Sequence, residues 1–114
     1  MPSNPLFSEI CEIVDCEHKN PPFEVSGHPY VRTSDIGRGR ISFDNVKWIS
    51  EDSYEKWTRR ATPQPGDLIL TRDPPIGNVG IVEDGMKVCL GQGTVLLRPN
   101  RSVIDSLFLT YLIL

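Results

Sequence analysis

No run of apolar residues in this chain is long enough to cross a bilayer. The longest candidate, Leu107 to Leu114, carries Thr110 and falls far short of the roughly 20 residues that a span needs. No signal-peptide pattern opens the sequence. The 3 cysteines, Cys11, Cys16 and Cys89, are odd in number and lack CxxC spacing, which excludes a disulfide framework and points to reduced thiols in the cytoplasm. No GxGxxG follows a strand and no Walker loop is present, so nucleotide-binding folds of those classes are out. Excess basic charge is also missing. A net charge of -3 and a pI near 5.3 argue against a nucleic-acid binder that relies on overall positive charge. There is no internal repeat and no low-complexity segment.

Proline and glycine, by contrast, are plentiful, 10 and 9 in 114 residues. They predict short elements joined by tight turns rather than a helix bundle. The length suits one domain, 1–114, with a modest core. Charge is unevenly placed. Residues 32–60 hold Arg32, Arg38, Arg40, Lys47, Lys56, Arg59 and Arg60, the larger part of the 12 Lys and Arg. Trp48 and Trp57 lie among them.

Apolar residues from Leu6 to Val14 suit a short helix or an irregular segment running into a strand. Pro21-Pro22 breaks it. Tyr30 to Thr33 reads as a strand, Ile36 to Arg40 as a glycine-rich turn, Ile41 to Phe43 as extended chain, and Val46 to Ile49 as a further strand. Ser50 is a natural N-cap for a helix at 51–60, with Glu51 and Asp52 in its first turn and Arg59 and Arg60 in its last. Strands are expected at 67–71, 78–82, 87–90 and 94–98. The Asp84-Gly85 turn signal predicts that the second and third of these form a hairpin. Val103, Ile104, Leu107, Phe108, Tyr111 and Leu112 fall at helical spacing. The abrupt end of that helix suggests a truncated chain, and its apolar stripe suggests a homodimer through residues 103–114. The fold class expected is α+β: a strand-rich mixed or antiparallel sheet, a mid-chain helix and a truncated C-terminal helix.

Few groupings of reactive residues form. Cys16-Glu17-His18, with His28 distant, falls short of the ligands that zinc requires. Gly37-Arg38-Gly39-Arg40 is a turn with two arginines suited to phosphates or a guanine edge. Gln92, between Gly91 and Gly93, is either a turn residue or an adenine reader. Trp48 and Trp57 are expected to pack rather than stack on bases.

Several blocks occur in a telling order. They are Gly27-His28-Pro29-Tyr30-Val31-Arg32-Thr33-Ser34-Asp35-Ile36, Gly37-Arg38-Gly39-Arg40-Ile41, Gly66-Asp67-Leu68-Ile69-Leu70-Thr71-Arg72, Ile76-Gly77-Asn78-Val79-Gly80-Ile81-Val82 and Val95-Leu96-Leu97-Arg98-Pro99. In this order and spacing the chain resembles the target recognition domain of type I restriction-modification specificity subunits, covering one N-terminal domain with 102–114 as the start of a helical region. Asp15 and His18 match an Asp-Gly-x-His segment of that family, with Cys16 replacing the glycine. The resemblance implies a cytoplasmic, non-enzymatic reader of double-stranded DNA, one half-site per domain, in a system with methyltransferase and restriction subunits. It implies no cofactor of the chain's own, since S-adenosylmethionine, ATP and Mg²⁺ would belong to those partners. The DNA-contacting residues expected are Lys19, Arg32, Thr33, Ser34, Arg38, Arg40, Arg59, Arg60, Arg72 and Gln92. Lys and Arg would supply backbone affinity and a few polar loop residues sequence choice.

A second resemblance involves Gly66-Asp67 followed by Asn78-Val79-Gly80-Ile81, which is similar to papain-like peptidases and amidases of the NlpC/P60 type. Their chemistry needs a Cys thiolate activated by a His, and Asn78 stands where the histidine would be. The alternatives are therefore a non-catalytic relative of that family, or a remnant serving as a protein-interaction module.

Overall fold

The structure, a computed structural model, describes residues 11–72 and 78–100. The strands are short, as the prolines and glycines dictate: β1 (Cys11–Asp15), β2 (His28–Val31), β3 (Arg38–Gly39), β4 (Lys47–Ile49), β5 (Leu68–Thr71), β6 (Val79–Ile81), β7 (Cys89–Leu90) and β8 (Thr94–Pro99). Among the described residues one helix, α1 (Glu51–Trp57), follows β4, and a 3-10 turn spans Thr33–Asp35. The α+β class holds, but the strands divide between two sheets. One has the order β1-β8-β5-β6-β3 and the other β4-β2-β7. Both are mixed: β3 runs parallel to β6 and β2 parallel to β7, while the other pairs are antiparallel.

β5 occupies the middle of the larger sheet, and its residues explain why. Leu68 and Ile69 are adjacent and both fully buried, so the strand is covered on both faces. Ile69 packs with Cys16, Val31, Ile36, Val82, Val88, Leu90 and Leu96, a cluster that unites residues of both sheets. Leu68 packs on the opposite side with Val79 and Leu97. Tyr30, Ile49, Tyr54 and Cys89, with Trp57 against them, join α1 to the smaller sheet.

An ion pair, Asp67 with Arg98, closes one end of the β5–β8 ladder. The Asp67 carboxylate is 3% exposed. It accepts from Arg98 Nη2 at 2.8 Å and Nε at 3.1 Å, and from the Gln64 amide at 2.7 Å. These bonds hold the Arg98 guanidinium charged even more firmly than usual, the hydrogen bond to Asp67 being the main cause. Arg98 also donates to the Thr62 carbonyl at 2.9 Å. The arginine is thus a structural brace between β8 and the entry to β5.

Several expectations are corrected. Strands 78–82 and 87–90 do not form a hairpin. The turn exists, with Gly85 at φ 84, but β6 stays in the large sheet while β7 pairs with β2. Val82 and Val88 are both buried in the shared core, so the chain crosses that core instead of folding back on itself. The helix ends at Trp57, not at residue 60. Thr58 caps it by donating Oγ1 to the Tyr54 carbonyl at 2.6 Å, which leaves Arg59 and Arg60 outside. The first strand of the Tyr30 block ends at Val31, because the buried Asp35 carboxylate accepts the Arg32 amide at 2.9 Å and winds the next residues into the 3-10 turn. Beyond it, residues 41–43 make one bridge, Ile41 to Ile36, and no strand. The Ser50 cap is as expected, accepting the Ser53 amide at 3.1 Å. The segment 6–10, the helix 103–114 and the dimer expected of it lie outside the described residues. Among the described residues no helix is long and apolar enough to cross a membrane.

Candidate nucleic-acid interface

An open groove of about 490 Å³ gathers residues that are distant in sequence. Arg32, Thr33 and Ser34 reach it from the 3-10 turn, Tyr30 from β2, Lys47 from β4, and Gln92 from the loop between β7 and β8; Asn20 and Phe23 flank the Pro21-Pro22 step. Four of the residues expected to contact DNA therefore converge: Arg32, Thr33, Ser34 and Gln92.

Gly91 makes the convergence possible. Its amide donates to the Val31 carbonyl at 2.6 Å, so the loop lies directly over the end of β2. A Cβ there would sit 2.3 Å from that carbonyl oxygen, closer than any side chain tolerates. The close approach brings Gln92 onto Tyr30. The Gln92 amide donates to the Tyr30 hydroxyl at 3.2 Å, which donates onward to Asn20 Oδ1 at 2.9 Å. The same oxygen accepts from Gln92 Nε2 at 2.8 Å. Burial pushes the Tyr30 phenol above its ordinary pKa, which keeps its proton available for Asn20.

Arg32 is braced in a similar way. Its Nε donates to the Asp35 carboxylate at 3.3 Å and its Nη2 to the Asn45 carbonyl at 2.7 Å. The guanidinium is thus aimed by its neighbours, half-exposed at the groove wall. Lys47 beside it is exposed.

Arg38 and Arg40 lie on the edge strand β3 and the residue after it. Backbone bonds fix this turn, from Gly37 to the Arg40 carbonyl at 2.9 Å and from Val79 to the Gly37 carbonyl at 3.1 Å. Asn78 adds a third, donating Nδ2 to the Ile36 carbonyl at 3.1 Å. Both arginine side chains are exposed, and among the described residues neither guanidinium has an ion pair or hydrogen bond. Lys19 and Arg59 meet elsewhere, around Trp57, in a shallow recess of about 140 Å³ shared with Lys56 and Glu17. The Lys19 ammonium lies 5.7 Å from the Trp57 ring centre, and the indole donates to the Lys19 carbonyl at 2.8 Å.

Arg60 and Arg72, also expected to touch DNA, are paired with carboxylates, as Arg32 is. Arg60 pairs with Glu17 at 3.2 Å and donates to the Cys16 carbonyl. Arg72 grips the Asp15 carboxylate at 2.8 and 3.0 Å, and His18 bonds the same group at 2.9 Å. Burial works against the charged form of Asp15, but the bonds from His18, the Cys16 amide and Arg72 outweigh it and lower its pKa. Cys16 takes the place of the family's glycine without strain, since no described residue other than glycine has positive φ.

Cys89 is poorly suited to nucleophilic chemistry. The Cys89 thiol is buried, and burial foremost pushes its pKa up to about 12, far from the depressed values of reactive thiols. The native protein is expected to leave Cys89 unalkylated by iodoacetamide at pH 8 and to modify it only on denaturation, as peptide mass mapping would read. Modification of the native protein within minutes would contradict this burial. Trp57 packs on the smaller sheet's cluster, as expected, while Trp48 pairs through its backbone with Glu24 and Pro29.

No family model matches this chain. It is 24% identical over 83 residues to the type I restriction enzyme EcoBI specificity subunit of Escherichia coli, a match covering 73% of the chain and 17% of that relative. Its fold is similar to a chain from the type I R-M system studied for complex assembly and conformational transition, with a TM-score of 0.64 and 25% identity over 94% of this chain and 25% of the other. It is also similar to the HsdS subunit from Thermoanaerobacter tengcongensis, with a TM-score of 0.62 and the same identity and coverage. The chain thus spans a quarter or less of the length of these proteins. Sequence and fold agree with the block order in residues 27–98: the chain is similar to a target recognition domain of a type I restriction-modification specificity subunit.

Proposed function

We propose that this chain reads the sequence of double-stranded DNA, as the half-site-reading domain of a type I restriction-modification specificity subunit, and has no catalytic activity of its own. The observation that carries the reading is the groove itself. Arg32, Thr33, Ser34 and Gln92 come together there beside Lys47, giving cations for phosphates and polar groups for base edges in one place. The exposed guanidiniums of Arg38 and Arg40 and the recess with Lys19 and Arg59 offer further sites for the DNA backbone. Arg60 and Arg72 do not line the groove and take smaller parts. Methyltransferase and restriction subunits would be the partners of the whole protein. The buried thiol of Cys89 and the structural use of Asn78 count against a peptidase-like alternative.

The double substitution Arg38→Ala, Arg40→Ala tests the reading. Neither side chain holds the fold, so the unfolding midpoint should stay within error of the parent. Duplex affinity should fall by a similar factor on all sequences, and the salt slope should shrink by about 1 for each phosphate that is no longer neutralised. Fluorescence anisotropy on labelled duplexes measures both. An unchanged affinity and slope would remove this turn from the interface.

A further inference from the structure

We infer that the groove reads an adenine·thymine base pair, with the Gln92 amide on adenine and the exposed Phe23 ring on the thymine methyl. The inference rests on the DNA-reading proposal and specifies which base pair the groove selects. Its starting point is the closed set of bonds among Asn20, Tyr30 and Gln92. The backbone amide of Gln92 is a donor only, so the Tyr30 hydroxyl accepts from it and spends its own proton on Asn20 Oδ1. That oxygen then requires a donor from Gln92, and the side chain turns its NH2 group, not its carbonyl, toward Asn20. The orientation of the Gln92 amide is thereby fixed from the backbone outward.

One amide proton is used in this tether. What remains on the exposed side chain is one donor and one acceptor, Nε2–H and Oε1. Adenine presents the complement in the major groove, an N7 acceptor beside an N6 donor. Guanine presents two acceptors, which the carbonyl oxygen of Gln92 would oppose. Cytosine offers a donor alone, and thymine an acceptor beside a methyl group. The tethered amide therefore discriminates in favour of adenine. Phe23 supplies the other half. It is 42% exposed, lines the same groove, and is held by Tyr30 with ring centres 5.2 Å apart. An apolar surface at that place suits the thymine methyl. Tyr30, being buried, is a positioning residue that sets both Phe23 and Gln92.

Selection from a randomised duplex pool, run in parallel with the parent chain and with Gln92→Ala, Gln92→Glu, Phe23→Ala and Tyr30→Phe, tests this. The parent should enrich an A·T pair at one position. Gln92→Ala should lose roughly 5- to 150-fold of discrimination there, the range of one bidentate pair, with other positions unchanged. Gln92→Glu should move the preference to cytosine, whose N4 donates to a carboxylate. Replacing thymine by uracil should weaken the parent and leave Phe23→Ala unaffected. Tyr30→Phe should lower discrimination at that position while affinity for random duplexes stays the same, an outcome that a merely structural role would not give. If Gln92→Ala selects the same sequence as the parent, the assignment of Gln92 falls and the DNA-reading proposal stands. If the parent selects no sequence at all, both fall.

Discussion

Gly91→Ala is expected to cost roughly 3–5 kcal/mol of stability, the range of the most severe single substitutions and a large part of the roughly 5–15 kcal/mol that a domain possesses. The reason is local and rigid. An alanine Cβ would lie 2.3 Å from the Val31 carbonyl oxygen, 3.0 Å from its carbon and 3.1 Å from Arg32 Cα, all backbone atoms. No flexible side chain is there to give way. Relief requires moving the β7–β8 loop off β2, which breaks the 2.6 Å bond from Gly91 to Val31. β2 is the middle strand of the smaller sheet, so the disturbance reaches the core through Val31. Gly80→Ala is a useful contrast. Its nearest neighbour would be the side-chain Cγ1 of Ile41 at 2.5 Å, with the Arg40 backbone no closer than 3.2 Å, so a smaller loss is expected. Urea unfolding followed by the fluorescence of Trp48 and Trp57 measures both. A loss below about 1 kcal/mol for Gly91→Ala, well short of the severe range, would mean that the loop does not lie against β2 as described.

Raising salt from 50 to 200 mM should weaken duplex binding roughly 10²- to 10³-fold. The figure follows from about four to six neutralised phosphates, each contributing about −0.9 to the slope of log affinity against log salt. The structure shows which cations are available for this. Arg38, Arg40, Lys47, Lys19 and Arg59 are exposed, and Lys19 leans on Trp57. Arg32, Arg98, Arg72 and Arg60 are paired with Asp35, Asp67, Asp15 and Glu17, which offsets part of their charge. A chain of net charge -3 thus concentrates its usable positive charge on a few positions. Titrations at four salt concentrations give the slope directly. A slope near zero would mean that binding, if present, does not run through phosphates.

How much of the fold was legible beforehand depended on range. Some signals carried by adjacent residues suffice. The β-branched and leucine run at 67–71 is a strand, and Ser50 caps the helix. Features set by interactions across the chain are not legible in this way. The parallel pairing of Tyr30 with Cys89 splits the strands into two sheets, and nothing local to 78–90 distinguishes that from the hairpin its turn residues favour. Thr58 ends the helix two residues before the arginines because its hydroxyl finds the Tyr54 carbonyl, a competition that composition leaves open. Arg72 reads as a free loop cation, yet Asp15 lies beside it in space at a separation of 57 residues. Within the groove, Arg32, Thr33, Ser34 and Gln92 were legible through the family resemblance. Asn20, Phe23, Tyr30 and Lys47 carry no such local signal. Asn20 sits next to a proline pair and reads as linker, and its bond to Gln92 spans 72 residues. Only the approach allowed by Gly91 makes that pair meet.

As a sequence reader, this chain should distinguish one DNA sequence from others. The most direct measurement is the affinity of the 114-residue chain, at one fixed low salt concentration, for a duplex enriched from a randomised pool and for the same duplex with its sequence scrambled. The enriched duplex should bind at least about 10-fold tighter, each mismatched position costing about 1–3 kcal/mol. Equal affinity for the two duplexes, or no binding to either, would contradict sequence reading by this chain.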